Sequence, residues 1–259
     1  MAGERDVVGG NGTRGKGWRG PLSGLLDLFF PPLCHQCRSF IPHAGRVHVC
    51  PACLATSRPV EPPLCTVCGV PFPAPAGIDH PCGPCLTTPP PFAAARAAFL
   101  YEGAIRDLIH RFKYDGAVQV RRPLALLMAD RLAPLAAEKA PDLLVPVPLH
   151  VRRLRQRGFN QAVLLGELLS REWQIPLGRR VMRRIRWTEP QVNLAAKERL
   201  ANVRGAFAVS DRARVAGMRV MLVDDVLTTG STLAECSRVL LRAGAAEVFA
   251  VTVARVAWE

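Results

Sequence analysis

Two sets of residues in this chain have the types and spacing to do chemistry. The first is the run Val223-Asp224-Asp225-Val226-Leu227-Thr228-Thr229-Gly230-Ser231-Thr232. Adjacent carboxylates are good acceptors for the paired hydroxyls of a sugar. The hydroxyl-rich loop behind them can wrap its backbone N–H groups around a phosphate, and Gly230 permits the tight turn and close approach this needs. A helix starting near Ser231 would add free N–H groups and its dipole to the same anion site. The run lacks the Gly-x4-Gly-Lys frame and the lysine of a nucleotide P-loop. The plainer alternative is that the aspartates cap the following helix and Thr-Thr-Gly is only a turn.

The second set is cysteine. Of nine cysteines, eight form the Cys-x-x-Cys pairs Cys34/Cys37, Cys50/Cys53, Cys65/Cys68 and Cys82/Cys85, separated by 12, 11 and 13 residues. Each pair can place two thiolates on one ion, and two pairs complete a tetrahedral site. Four soft thiolates favour Zn2+ or an iron–sulfur centre, and Zn2+ suits a purely structural role. Sequential pairing gives two sites, with an interleaved pairing as the alternative. Two bound Zn2+ with all eight thiols ionised would bring the formal charge of +13 to about +9. Cys236 stands alone and reads as a small core residue.

Arginines supply a third feature. Arg152, Arg153, Arg155 and Arg157 form one cluster, and Arg179, Arg180, Arg183, Arg184 and Arg186 another. Some can neutralise a pyrophosphate and others can grip single-stranded nucleic acid. The competing account is a solvated basic face, because only four of the 34 basic residues are lysine and the whole chain is arginine-rich. His150 is either a proton carrier or a turn histidine bonded to backbone. Aromatics make up 6% of the chain, too few for a dedicated base-stacking surface, and Trp173 and Trp187 read as packing residues.

These groups need elements to hold them. The apolar fraction is 49%, enough for a real core in 259 residues. Residues 1–24, with seven glycines in the first twenty, read as a flexible tail. Residues 25–90, rich in proline and cysteine, read as a metal-held module, and Pro89-Pro90-Pro91 as a linker. Residues 91–259 read as an α/β domain. Strands are expected at Arg96–Tyr101, Leu143–Val147, Val181–Ile185, Arg219–Val223 and Glu247–Ala254. Helices are expected at Gly103–Tyr114, Leu124–Leu135, Asn160–Arg171 and Ser231–Ala243. The alternation implies a mostly parallel sheet flanked by helices, with ligands bound beyond the strands' carboxyl ends. No run reaches the roughly 18 apolar residues of a membrane span, and no signal peptide is read. The expected address is the cytosol, with peripheral contact to the inner membrane left open.

The run at 223–232 resembles the phosphoribosyl pyrophosphate loop of type I phosphoribosyltransferases. Other segments resemble the ComF family: Val145-Pro146-Val147-Pro148 with Leu149-His150, the arginines at 152–157, Gly158-Phe159-Asn160-Gln161-Ala162, Thr188-x-Pro190-Gln191-x-x-Leu194 with Glu198-Arg199, and Asn202 to Phe207. The cysteine module, as a double zinc ribbon, resembles that family too. The resemblance implies a type I phosphoribosyltransferase-like fold and a site for phosphoribosyl pyrophosphate with Mg2+. It implies that Asp224 and Asp225 hold the ribose hydroxyls and act in catalysis, that the loop Thr228, Thr229, Gly230, Ser231, Thr232 holds the 5-phosphate, and that Val226 and Leu227 belong to the same ligand site. Val147, Pro148 and Arg157 would face the pyrophosphate, and Thr188 to Lys197 would close over the reaction. It also implies a link to DNA uptake. Either a transferase with an unnamed acceptor or a non-catalytic single-stranded-DNA adaptor fits this much.

Overall fold

The computed structural model describes residues 31–42, 44–73, 77–188 and 201–257. The expected tail at 1–24, Glu198, Arg199 and all of the expected closing loop after Thr188 lie outside the described residues. Four parallel strands form the main sheet: β1 (Ala94–Leu100), β2 (Leu143–Pro146), β5 (Arg219–Leu227) and β6 (Glu247–Arg255), in the order β1-β6-β5-β2. Between β2 and β5 in sequence, β3 (Met182–Arg184) and β4 (Phe207–Val209) make a separate antiparallel pair.

The strands are apolar almost throughout because both faces are covered. Met221, Val223, Phe249 and Val251 pack into one layer with helices α3 (Gly103–Tyr114), α4 (Arg121–Lys139) and α6 (Gln161–Trp173). Val220, Leu222, Val248 and Ala250 pack into the other with α7 (Ser231–Arg242). Successive side chains of a strand alternate faces, so one apolar run feeds two cores. The mostly parallel sheet flanked by helices is therefore the observed architecture.

Three local differences matter for the site. Strand β5 continues past Val223 to Leu227, because β6 is long enough to keep pairing: Asp224 lies opposite Thr252 and Leu227 opposite Arg255. The two carboxylates thus sit on a strand end rather than in the following loop. The arginines after His150 form a short helix, α5 (Val151–Arg157), which has no apolar stripe to announce it; Val151 and Leu154 are exposed. Helix α4 also runs longer than expected, ending where Ala140 turns left-handed at φ 38°.

The cysteine module is strapped to the sheet. It contains the short helices α1 (Pro51–Leu54) and α2 (Gly83–Thr87). Between its two halves, the backbone follows the outer edge of β1. Val60 N–H donates to Ala98 O at 3.1 Å, Leu100 N–H to Arg58 O at 2.8 Å and Ala95 N–H to Val67 O at 2.7 Å. This covers an edge that would otherwise offer unpaired backbone groups. The first half packs on the α3 face through Cys34, Ile41 and Val49, and the second on the α7 face through Val67 and Cys68. The proline run is no free tether either: Phe92 beside it is 3% exposed, and Ala93 N–H bonds Val248 O at 2.8 Å.

Candidate functional site

At the carboxyl end of β5, Asp224 and Asp225 open onto a cavity of about 180 Å3. The turn after β2 contributes Val147 and Pro148, and α5 contributes Arg153 and Arg157. Thr232, in the first turn of α7, Arg184 on β3 and Lys113 at the end of α3 add to its polar lining. Residues spread over nearly 90 positions of sequence meet here because β2 and β5 are parallel neighbours: Pro146, the last residue of β2, pairs with Val223, next to Asp224. Asn160 fastens one wall. Its Oδ1 accepts from Ala162 N–H at 2.9 Å, capping α6, while its Nδ2 donates to Val147 O at 3.0 Å.

The carboxylates differ in their surroundings. Asp225 is 8% exposed, and its Oδ1 lies 3.0 Å from Lys113 Nζ of α3. Asp224 accepts the Asp225 backbone N–H at 2.9 Å. Burial first, and then the charge of Asp225, push the Asp224 pKa up to about 7, against the pull of that hydrogen bond, Lys113 and Arg184. Burial disfavours the charged form of Lys113 too, but Asp225 and then Asp224 outweigh it and hold the ammonium above its ordinary pKa. The cavity thus has four cationic side chains, Lys113, Arg153, Arg157 and Arg184, around two carboxyls. That balance favours a ligand bearing several negative charges.

The hydroxyl loop divides between two spaces. Thr232 faces the carboxylate cavity, whereas Leu227 to Ser231 line a neighbouring cleft of about 440 Å3 whose far wall is the second half of the cysteine module. Val226, partly buried, packs in the α3-side core. Gly230 takes the left-handed conformation at φ 78° and starts α7 with no side-chain cap, while Thr229 Oγ1 and Ser231 Oγ lie 3.0 Å apart. Helix-start N–H groups left without a side-chain acceptor suit an anion. Arg255, 1% exposed, closes the cleft and donates to Cys68 O at 2.7 Å.

His150 is a turn histidine. Its Nδ1 accepts from Arg152 N–H at 3.3 Å and caps α5. Its pKa falls below the ordinary value through burial and then the charges of Arg184, Arg152 and Arg153, consistent with a neutral ring that accepts. The arginine clusters separate by role. Arg186 bonds the carbonyls of Asn202 and Arg204, Arg179 pairs with Glu167 at 3.0 Å, and Arg153 and Arg184 reach the cavity. Arg152 and Arg153 also lie over Trp187, at 5.6 and 5.5 Å from its ring centre.

The cysteines gather as two tetrads, Cys34/Cys37/Cys50/Cys53 and Cys65/Cys68/Cys82/Cys85, each with its sulfurs within 4.8 Å of one another. This is the sequential pairing. Neighbouring sulfurs lie 3.6 Å apart at Cys37–Cys50 and 3.7 Å at Cys68–Cys82, far beyond a disulfide bond. Backbone N–H groups point at the sulfurs, as thiolates require: Cys50 N–H at Cys34 Sγ, 3.3 Å, and Cys82 N–H at Cys65 Sγ, 3.2 Å. Both tetrads fit a tetrahedral S4 zinc site.

Lys113 and Arg255 escaped the sequence reading. A signal for Lys113 was available. Ile105, Ile109 and Lys113 are spaced four apart, so the lysine falls on the buried face of α3, where a cation needs a partner. Arg255 had none, because a charged residue ending a strand is ordinarily a solvent-facing one.

Comparison with known proteins extends this picture. The double zinc ribbon domain matches residues 25–86 and the phosphoribosyl transferase domain residues 160–257. The DNA utilization protein YhgH of Escherichia coli is 37% identical over 228 residues, covering 85% of this chain and 96% of that one. Competence protein F of Haemophilus influenzae is 35% identical over 224 residues, covering 85% and 95%. Among solved structures, the Bacillus subtilis glutamine phosphoribosylpyrophosphate amidotransferase aligns at 21% identity and a TM-score of 0.36, over 52% of this chain and 26% of that one. Among the described residues, no helix is long and apolar enough to cross a membrane.

Proposed function

From the premise that this chain belongs to the ComF family, with its double zinc ribbon and phosphoribosyltransferase domain, we propose that it binds phosphoribosyl pyrophosphate with Mg2+ and transfers the phosphoribosyl group to an acceptor. One observation carries the reading: a single cavity gathers Asp224, Asp225, Val147, Pro148, Arg157 and Thr232.

In this reading the ionised carboxyls accept the two ribose hydroxyls, and Thr232 and the start of α7 take the 5-phosphate. The turn at Val147-Pro148 with Arg153 and Arg157 faces the pyrophosphate. Displacement at carbon 1 passes through an oxocarbenium-like state, in which the site's work is to position the sugar and neutralise the departing charge. The oxygen donors present suit Mg2+, which keeps most of its shell as water and ligand phosphate and would offset pyrophosphate charge when bound. Bringing the ribose diol in requires Asp224 to give up the proton its surroundings favour.

A second reading is an adaptor that grips single-stranded DNA and uses the sugar site for control. Trp187 beneath Arg152 and Arg153 favours it, since such a ring can stack a base between cations. Incubation with phosphoribosyl pyrophosphate, Mg2+ and a panel of nitrogen acceptors, following pyrophosphate release, separates the two. Release that depends on both acceptor and Asp224 supports the transferase. Saturable binding with no release across the panel favours the adaptor.

A further inference from the structure

We propose that Lys113 is a binding and positioning residue of the sugar site: it orients Asp225 for the ribose hydroxyls and presents its other N–H groups to the anionic oxygens of the ligand. The inference deepens the phosphoribosyl reading and rests on it. Lys113 Nζ is 3.0 Å from Asp225 Oδ1, with side-chain exposures of 17% and 11%. The pair also lines the cavity, so it is not a tie between elements away from the site.

Two features argue against a purely structural role. Removing two charges from water costs more than packing apolar groups of the same size, so a buried pair is a poor way merely to hold a helix against a strand. The helix is held already. Ala104 and Ile105 N–H bond Thr56 Oγ1 and Ser57 Oγ at 3.0 and 3.2 Å, Gln36 Nε2 bonds Asp107 Oδ2 at 2.9 Å, and Arg111 bonds His35 O. Phe112 beside Lys113 is fully buried against Phe159, with ring centres 5.4 Å apart. With its backbone fixed this way, Lys113 projects from a rigid base.

The chemistry follows from donor count. An ammonium has three N–H donors, and Asp225 Oδ1 engages one. A carboxylate has two oxygens, so Oδ2 stays available for a sugar hydroxyl while Oδ1 is held. Lysine here acts as a compact point charge that tolerates a change of partner as the ligand enters. The planar fork of arginine would demand fixed, paired acceptors.

The test uses full-length, zinc-loaded protein and its variants Lys113→Gln and Lys113→Arg, titrated with phosphoribosyl pyrophosphate and Mg2+ by calorimetry. Zinc content and the melting temperature without ligand are measured alongside. Lys113→Gln should weaken binding roughly tenfold to a hundredfold, as loss of a charged hydrogen bond does, with zinc content retained. Lys113→Arg should recover part of the loss, which a packing role would not produce. If Lys113→Gln does not fold, Lys113→Arg decides alone: it should bind more weakly than wild type, and wild-type affinity in that variant overturns the inference. Wild-type affinity in Lys113→Gln overturns it equally. Wild-type protein that fails to bind at all overturns the phosphoribosyl reading, and the role of Lys113 with it.

Discussion

Thr56 Oγ1 accepts a hydrogen bond from the Ala104 backbone N–H at 3.0 Å, so a residue of the cysteine module caps helix α3 beside the main sheet. Ser57 Oγ repeats the contact with Ile105 N–H at 3.2 Å, while Glu102, the residue in the cap position, makes no such bond. The close approach depends on Gly103, at φ 53°, where a Cβ would lie 1.9 Å from Thr56 O. Thr56→Ala with Ser57→Ala should cost about 1–2 kcal/mol, the usual range for lost caps. Gly103→Ala should cost more, because backbone rather than a flexible side chain must move. Denaturant unfolding checks both, and an unchanged midpoint would show that the module adds nothing to the stability of the domain.

The two tetrads should carry about two Zn2+ per chain. Cys34→Ser and Cys65→Ser should each lose one ion, with different consequences. Loss at Cys34 should loosen the α3 face, where Cys34 is packed in the core. Loss at Cys65 should loosen the α7 face and the cleft closed by Arg255. Metal analysis gives the stoichiometry, and hydrogen exchange distinguishes the faces. Protein purified gently with neither zinc nor iron would end this account.

The parts of the site that were legible in the sequence share one property. Asp224-Asp225, the hydroxyl loop and the Cys-x-x-Cys pairs are local, and their residues act within a few positions of one another. Across distance, the family resemblance joined Val147, Pro148 and Arg157 to the aspartates, but the partners of Lys113 and Arg255 were not legible. Lys113 meets Asp225 only because α3 packs behind β5, and Arg255 reaches Cys68 only because the module wraps the edge of β1. Two aspartates normally stop an apolar run, so the sequence predicts that β5 ends at Val223, yet pairing with β6 carries the strand on to Leu227. Helix α5 was missed because it has no buried face.

Asp224 gives the site a pH dependence with two signs. Its folded pKa is raised from an ordinary 3.8 to about 7, by burial first and Asp225 second. Between those values the folded protein holds a proton that the unfolded chain releases, so stability without ligand should fall as pH rises through this window. Ligand binding should run the other way. The ribose hydroxyls need an ionised acceptor, so the rise in melting temperature with phosphoribosyl pyrophosphate and Mg2+ should grow as pH passes through 7. Asp224→Asn should flatten that profile, and Asp224→Asn with Asp225→Asn should remove most of the ligand shift. An undiminished shift in the double variant would place the ribose elsewhere.

The arginines allow the sugar site and a nucleic-acid surface to be tested separately. Arg184 lines the cavity, whereas Arg180 and Arg183 are exposed. Reversing Arg180 and Arg183 to Glu should therefore weaken single-stranded DNA binding and leave the phosphoribosyl pyrophosphate shift intact. If the grip is electrostatic, log affinity should fall with log salt at a slope of roughly −0.7 per phosphate neutralised. Trp187→Ala should cost about 1–3 kcal/mol if a base stacks on the ring, and should leave that salt slope unchanged because no charge is removed. Asp224→Asn should preserve or slightly strengthen strand binding, since it removes a negative charge near the basic face. Fluorescence anisotropy over a salt series, on wild type and the three variants, reads all of these at once. Binding that ignores salt, or no binding at low salt, would exclude the strand as a partner and leave the basic clusters to serve the phosphates of the small ligand alone.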